Sequence, residues 1–554
     1  MRRRCVVLLA ACWMAGSVAG AVGAEPALDQ SPAPPKDPGA VCAGCHRQIY
    51  DTWTHTPMAH ASGPAAEGFI AADFTHAASG VHYRMVLDHG QVWFSWERAN
   101  APPDRALNGR VLLRSYLGSG RRGRTWIFER EGYWYEIPIN WYAKKQLWDM
   151  TPNFLDARTM PLTLPVDPGC LHCHASNVQE SLPDARNHFQ GPPFVRGGIS
   201  CASCHGDPSR HLAEHGKGPI LNPARLDPVR RDSICLECHL EGEVAVVKRG
   251  QHLSAFQAGD NLFDEAAYFE DGRKAGPGGR ATSQWESLLE SACKRASGDR
   301  LTCTTCHDPH SSPAAADRVA FYRDKCLACH AGLASGHHAD HPDCTSCHMP
   351  REETQDIAHE QVTDHRIQIV SRPLVSASSS EELVPIDGVH PDVRDEGLAW
   401  AQLALRGDHA AGERAMRLLL KAETADPAQA SDAELHMELG FLEQVSGDRE
   451  RAKSEYQEAL RADPLNETAA GDLAVLDAQS GDFTAALPLW QSVFQHDPGA
   501  SAAGIDLAIA QCGSGGREAA AQTLRRVLLF SPDNDAARRL SLALAAGTQR
   551  CGTP

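Results

Sequence analysis

The pattern of apolar and polar residues divides the chain into segments of different character. Between about residues 80 and 145, apolar and polar residues alternate and aromatic residues are frequent, as in Val92-Trp93-Phe94-Ser95-Trp96, which is typical of antiparallel strands. The tripeptides Asp88-His89-Gly90 and Arg130-Glu131-Gly132 suit hairpin turns. We therefore predict a small antiparallel β insertion over about residues 80–145.

The C-terminal part, residues 395–548, has a helical repeat. Its units end at Pro427, Pro464, Pro498 and Pro532, at intervals of 37, 34 and 34 residues. A period of 34 residues is that of the tetratricopeptide (TPR) repeat, in which small residues at fixed positions let paired helices approach. We predict an α-solenoid of TPR helix pairs, which suits the docking of other proteins.

Residues 152–350 show little periodicity, and Gly, Pro and Asp interrupt them often. The predicted fold class is mainly α: a loop-rich domain over residues 41–370 that contains the β insertion, followed by the solenoid. Residues 25–40 are rich in Pro and Ala and residues 371–394 contain a run of serines, so both are predicted to be linkers.

The N-terminus has the features of a secretory signal. Residues 1–24 contain Arg2 to Arg4, an apolar run from Cys5 to Val22 and small residues before Glu25. We predict export to the periplasm. A lipoprotein signal ending at Cys12 is an alternative, but its apolar run would be very short. No later run of 18 apolar residues occurs, so no membrane span is predicted.

Seven pentapeptides of the form CxxCH carry the clearest chemical signal in the chain. They use fourteen of the 19 cysteines. The seven boxes, numbered in chain order, are Cys42-Cys45-His46, Cys170-Cys173-His174, Cys201-Cys204-His205, Cys235-Cys238-His239, Cys303-Cys306-His307, Cys326-Cys329-His330 and Cys344-Cys347-His348.

This spacing fits covalent haem attachment. Two cysteines three positions apart can form thioethers to the two vinyl groups of one porphyrin, and the next residue, His, can bind the iron. A zinc site does not require His after every CxxC pair, and a disulfide within CxxC would close too short a loop to stabilise the chain usefully. We predict seven c-type haems, with the fourteen cysteines as attachment points and the seven histidines as proximal iron ligands.

The formal net charge is −17. This charge argues against binding to nucleic acid or to an anionic membrane surface, because both require a basic surface. The partners that we expect are redox proteins, docked through the TPR domain.

Several stretches resemble one family. Residues 41–370 are similar to multihaem c-type cytochromes grouped with cytochrome c-554 and the doubled-CxxCH proteins, in the subset with a C-terminal TPR region. The stretches that carry the resemblance are Cys42 to His46 with Trp53 and Met58, Gly118 to Tyr142, Gly198 to Gly206, Leu301 to His310, and Cys344 to Pro350 with Thr363 to Ile367. The resemblance implies periplasmic electron transfer, although many members have no assigned reaction.

Function depends on the second axial position of each iron. Two histidines give a low potential, His with Met raises it, and an open position permits chemistry on a small molecule. The candidates for this distal position, chosen because they lie close to a box in sequence, are Met58, His60, His211, His310, His341, His359 and His365. Met58 and His60 compete for the first haem.

The sequence leaves two functions open. In the first, the chain carries electrons through its haems. In the second, it is an oxidoreductase that acts on a small nitrogen or sulfur compound at one open haem. Related multihaem nitrite reductases often use a CxxCK box at the active iron, and the chain has none, which favours the first function without excluding the second.

Overall fold

The computed structural model describes residues 39–99, 101–102, 105–152, 154–272, 283–333, 337, 340–351, 363–368, 382–386, 388–425 and 431–551, all of them in one compact unit, Asp37–Pro554. The predicted signal (residues 1–24), most of the predicted linkers, Pro427 and the distal candidate His359 lie outside the described residues.

An antiparallel sheet of ten strands lies between the first and second boxes. Its strands are β1 Ser62–Pro64, β2 Ala72–His76, β3 Val81–Asp88, β4 Gln91–Arg98, β5 Leu107–Leu117, β6 Gly123–Arg130, β7 Tyr133–Glu136, β8 Ile139–Tyr142, β9 Leu147–Met150 and β10 Leu164–Pro165. The main order is β10-β7-β6-β5-β4-β3-β2, with β1 beside β5, and β8 and β9 continuing from β6. The sheet is therefore larger than the insertion predicted over residues 80–145.

The two predicted hairpin turns join β3 to β4 and β6 to β7. Both central residues of each turn have positive φ: 47° at His89 and 80° at Gly90, and 56° at Glu131 and 86° at Gly132. Hairpin turns with this backbone conformation have the same twist as the flanking strands. The positive φ explains why glycine occupies the second position.

Strand β6 is buried on both faces and connects the sheet to the second box. Trp126 and Phe128 belong to an aromatic core on one face, whereas Ile127 on the other face packs with Leu171, inside the second box. Burial on both faces accounts for the unbroken apolar run in this strand. The sheet thus supports the part of the chain that carries the boxes.

Short helices and small sheets surround the boxes. The helices on both sides of the first box and around the later ones are α1 Ala40–Ala43, α2 Arg47–Trp53, α3 Pro168–His172, α4 Cys201–His205, α5 Ser209–Ala213, α6 Pro228–His239, α7 Leu262–Glu265, α8 Gln284–Glu290, α9 Ala292–Ser297, α10 Cys303–Cys306, α11 Arg318–Leu327 and α12 Cys344–His348. Strands β11 Ala175–Val178 and β12 Phe194–Gly197 pair, and β13 Val244–Val247, β14 Ala266–Asp271 and β15 Leu383–Pro385 form a three-stranded sheet.

The C-terminal part consists of helical repeats. They are α13 Val393–Leu405, α14 His409–Ala425, α15 Ala433–Ser446, α16 Arg449–Ala462, α17 Glu467–Gln479, α18 Phe483–His496, α19 Ser501–Gly513, α20 Arg517–Phe530 and α21 Asp535–Ala545. A disulfide joins Cys512 of α19 to Cys551. The described chain thus combines antiparallel sheets with a helical repeat region, and the prediction that it is mainly α is not confirmed.

Both ends of the repeat region pack on the rest of the protein. At the first end, Leu398 and Trp400 of α13 share a core with Val246 of β13. At the other end, Phe530 of α20 enters the aromatic core of the ten-stranded sheet, and the Tyr133 hydroxyl donates to the His496 carbonyl at 2.8 Å. The repeat region therefore packs on both the three-stranded sheet and the ten-stranded sheet. None of the described helices has both the length and the apolar character that crossing a membrane requires.

The contact between α15 and α16 gives a stability prediction. A Cβ at Gly440 would lie 2.6 Å from two ring carbons of Tyr456, which is fully buried. We expect Gly440→Ala to lower the free energy of unfolding of the repeat region by about 1–3 kcal/mol, because the core would be overpacked. Urea denaturation followed by circular dichroism measures this change.

Gly471, in the interior of α17, is the matched control. A Cβ there meets no atom within 4 Å, so Gly471→Ala should raise the free energy of unfolding by about 0.5–1 kcal/mol through the better helix propensity of alanine. Equal effects of the two substitutions would contradict the close approach of α15 and α16.

Candidate haem-binding site

One cavity of about 3150 Å³ is lined by residues of all seven boxes. A pocket for a single small ligand has about 300–1,000 Å³, so this cavity has room for several cofactors. Thirteen of the fourteen box cysteines and all seven box histidines line it, and Cys347 is the exception among the described residues.

Several of the helices that carry boxes begin at a residue whose side chain caps them. Asp167 accepts a hydrogen bond from the backbone N–H of Cys170 at 3.0 Å, and Asp343 caps α12 in the same way through Thr345 and Ser346. Thr302 and Thr305 form a reciprocal capping box at α10. Because a cap fixes where a helix begins, it also fixes the direction in which the box side chains project.

The box cysteines form neither disulfides nor a metal cage within the described part of the chain. Its disulfide is Cys512–Cys551, and the described box cysteines are free thiols. Its single group of three metal-ligating side chains lies in the repeat region, away from the boxes.

Neighbouring boxes touch one another through their cysteines. Four pairs of thiols lie close enough to interact electrostatically: Cys42 with Cys201, Cys173 with Cys238, Cys235 with Cys303, and Cys326 with Cys344. Cys204 interacts electrostatically with Cys235 and Cys238, and Cys306 does so with Cys329. The boxes therefore follow the spatial order first, third, fourth, fifth, sixth, seventh, with the second beside the fourth.

Several box histidines are oriented by hydrogen bonds from Nδ1. The acceptor for His174 is the Ala61 carbonyl at 3.3 Å, that for His205 is the Leu221 carbonyl at 2.9 Å, and that for His348 is the Gln368 carbonyl at 2.6 Å. Metal-binding histidines commonly donate one ring N–H to a carbonyl and use the other nitrogen as the ligand. This arrangement leaves Nε2 of each ring for the cavity.

Three box histidines each face a second histidine across the cavity. The ring centres of His205 and His310 are 6.0 Å apart, those of His307 and His365 are 6.3 Å apart, and those of His348 and His337 are 6.1 Å apart. The rings of the first pair are nearly parallel, at 13°.

These separations match what one iron between two imidazoles requires. Two metal–nitrogen bonds of about 2.0–2.1 Å, each extended by a ring radius of about 1.1 Å, place the ring centres about 6.2–6.4 Å apart. The second ring of two of these pairs is also held at Nδ1, since that atom of His365 bonds to the Thr363 carbonyl at 2.7 Å and that of His310 lies 3.4 Å from the Asp308 carboxylate. The residues present thus fit haem iron.

Burial lowers the pKa of His239, His307 and His365. A lowered pKa keeps an imidazole neutral at physiological pH, because burial disfavours the charged form. The neutral ring is the form that binds a metal.

The distal candidates differ in their positions. Met58, His211, His310, His341 and His365 line the cavity. His60 does not, and both of its ring nitrogens are engaged, with Glu67 at 3.3 Å and with the Thr54 carbonyl at 2.7 Å. His337 was missed in the sequence analysis although it lies seven positions after His330 and seven before Cys344, because nearness to a box did not distinguish it from the other histidines between these two boxes.

Three family descriptions match parts of the chain. Residues 146–206, with the second and third boxes, match cytochrome c554 and c-prime. Residues 295–335, with the fifth and sixth boxes, match the doubled CXXCH motif. Residues 477–544 match the tetratricopeptide repeat. No curated protein matches the chain in sequence.

Solved structures with some similarity include three proteins. A point mutant of MamA is 22% identical, with 28% of this chain and 87% of that chain covered and a TM-score of 0.24. MamA from Desulfovibrio magneticus RS-1 is 18% identical over 29% and 88%, with a TM-score of 0.26. A tetratricopeptide repeat protein from Parabacteroides merdae is 20% identical over 28% and 59%, with a TM-score of 0.25. These values are too low to support an inference.

The boxes and the family matches define a c-type cytochrome that binds more than one haem. The matches to cytochrome c554 and c-prime, to the doubled CXXCH motif and to the tetratricopeptide repeat thus support a multihaem cytochrome with a C-terminal TPR region, as the sequence resemblance indicated.

Proposed function

We propose that this protein is an exported electron carrier that holds seven c-type haems. The observation that supports this proposal best is the continuous series of contacts between boxes in one cavity. When bound, haem iron supplies one-electron redox chemistry. A series of haems without a long gap lets an electron enter at one box and leave at another.

The facing histidines support a carrier rather than an enzyme for at least part of the series. We propose His310, His365 and His337 as the distal ligands opposite His205, His307 and His348. Two histidine ligands close an iron to small molecules and give it a low potential. For the first haem we favour Met58 over His60, because Met58 lines the cavity while both ring nitrogens of His60 are engaged elsewhere.

Export is part of the proposal. It rests on the predicted signal and on the Cys512–Cys551 disulfide, a bond that persists in oxidising compartments. For the TPR region we propose that it docks redox partner proteins, since TPR repeats generally mediate contacts between proteins.

A second function rests on two arginines. Arg122 interacts electrostatically with His239 of the fourth box and with Arg351, and both arginines line the cavity. Two neighbouring cations favour an anion between them. A haem propionate would fill this role, and so would a small anionic nitrogen or sulfur substrate at an open fourth haem.

One pair of measurements tests the haem count and separates the two functions. A pyridine haemochromogen assay should give seven haems per chain, and clearly fewer would refute the count. A carbon monoxide difference spectrum of the reduced protein should leave the Soret band unchanged if every iron is closed. A shift of about one haem in seven would instead support the oxidoreductase.

A further inference from the structure

Outside the haem cavity, three side chains from three consecutive helices of the repeat region converge. They are Glu423 in the last turn of α14, His436 in the first turn of α15 and Glu455 in the middle of α16. One ligand atom of each lies within 4.8 Å of a ligand atom of both others. They form the one group of this kind in the described residues.

The imidazole at the centre of this group is buried and only partly satisfied. The side chain of His436 is 3% exposed, and its Nδ1 lies 2.8 Å from a carboxylate oxygen of Glu455. Its Nε2 is shielded from solvent and has no hydrogen-bond partner. Because Nδ1 is the nitrogen that faces Glu455, it is the one that would bind an ion shared with that carboxylate, in place of its proton.

The charge around this imidazole is negative. Glu423, Glu455 and Asp432 all act on His436. Asp432 is neutralised by Arg394 at 2.6 Å, but no Arg or Lys of the described residues forms a salt bridge with Glu423 or Glu455. Two carboxylates would therefore balance the charge of one divalent cation.

We propose that Glu423, His436 and Glu455 bind one divalent transition-metal ion, of which zinc is the best match. Imidazole and carboxylate are established zinc ligands, and three protein ligands leave one position for water. Hard cations such as calcium and magnesium prefer an all-oxygen set, which the imidazole disfavours. The ion would fasten α14, α15 and α16 together beside Arg394, which donates to the Val247 carbonyl at 3.1 Å and so joins the repeats to β13.

The test is zinc binding by the full-length, haem-loaded protein, prepared in chelator and dialysed against a low concentration of zinc. Elemental analysis of zinc and iron in the same sample gives the ratio of zinc to haem. We expect one zinc ion per chain in the unmodified protein and in Glu450→Gln, an exposed glutamate of the same helix α16. Glu423→Gln and Glu455→Gln should bind zinc at least about 10-fold more weakly, because each removes a charged ligand.

Circular dichroism and the haem count of each variant confirm that it is folded, so loss of zinc cannot be mistaken for loss of structure. Zinc uptake that is the same in all four proteins would place the ion elsewhere and refute the site. No uptake by the unmodified protein would also refute it, and would leave His436 as a histidinium held by Glu455. An anomalous difference peak at the zinc edge beside His436 is the direct confirmation.

Discussion

Replacing His310 with alanine is expected to open one haem to carbon monoxide. The reduced variant should show a Soret shift that corresponds to one haem in seven, beyond whatever the unmodified protein shows. The reason is that His310 faces His205 at 6.0 Å between ring centres, and its removal would leave the iron of the third box with a single axial ligand. An iron with an open position binds small molecules, whereas one with two histidines does not.

The backbone around His310 should keep its conformation when the side chain is removed, so the variant tests iron ligation alone. The backbone N–H of His310 donates to the Asp308 carboxylate at 2.9 Å, so the turn after the fifth box should keep its shape in the variant. Loss of one imidazole is also expected to raise the reduction potential of that haem. A redox titration would detect this as a higher midpoint potential for one of the haems.

His60→Ala is the matched control. It removes a histidine close to the first box, but His60 lies outside the cavity lining and both of its ring nitrogens contact other groups. Its carbon monoxide spectrum should equal that of the unmodified protein. If His310→Ala also left the spectrum unchanged, His310 would not be an iron ligand. If His60→Ala opened a haem, the preference for Met58 would be wrong.

The second large effect is expected where the repeat region meets the ten-stranded sheet. Arg98 of β4 donates to both carboxylate oxygens of Asp533, at 2.8 and 2.6 Å, and both side chains are buried, at 8% and 0% exposure. Asp533 also accepts from the backbone N–H of Met160 at 2.8 Å. Asp533→Ala would leave a buried guanidinium and a buried N–H without their acceptor.

Removing one partner of a buried ion pair costs about 3–5 kcal/mol, because the remaining charge is uncompensated. We expect Asp533→Ala to lower the free energy of unfolding by this amount. Urea unfolding monitored by tryptophan fluorescence reports on the sheet, which holds Trp96 and Trp126 in its core.

A second ion pair at the same interface provides the control. Arg526 and Glu131 lie 2.8 Å apart but are 38% and 44% exposed. Exposed pairs contribute about 0–1 kcal/mol, so Glu131→Gln should change stability little. If the two variants lost equal stability, the burial of Asp533 would not determine its contribution.

Local chemistry made the boxes predictable, whereas long-range contacts were not. A CxxCH box specifies its cysteines and proximal histidine within five residues. The partner of His205, in contrast, follows a different box, and His337 lies between two boxes with nothing in the sequence to single it out from its neighbouring histidines. His60 was chosen as a candidate because it lies near the first box in sequence, but its ring does not line the cavity.

In the sheet and the repeats, too, local patterns were predictable and long-range contacts were not. The long strands β3 to β6 were predictable from alternation and from the turns at Gly90 and Gly132. Short strands such as β1 and β10 carry too few residues for a period to be recognised, so the sheet was underestimated. The repeat period located the helices, but nothing in the sequence around Asp533 indicated that it would bind an arginine more than 400 positions earlier.

The shared cavity has a consequence for how the protein matures. A space of about 3150 Å³ with an apolar lining cannot persist as an empty interior, because the surrounding chain would lose its packing contacts. The ten-stranded sheet and the later repeats have cores of their own and can form directly after synthesis. We expect the segments that carry the boxes to close around the porphyrins as these are attached, so that cofactor supply would limit the last stage of assembly.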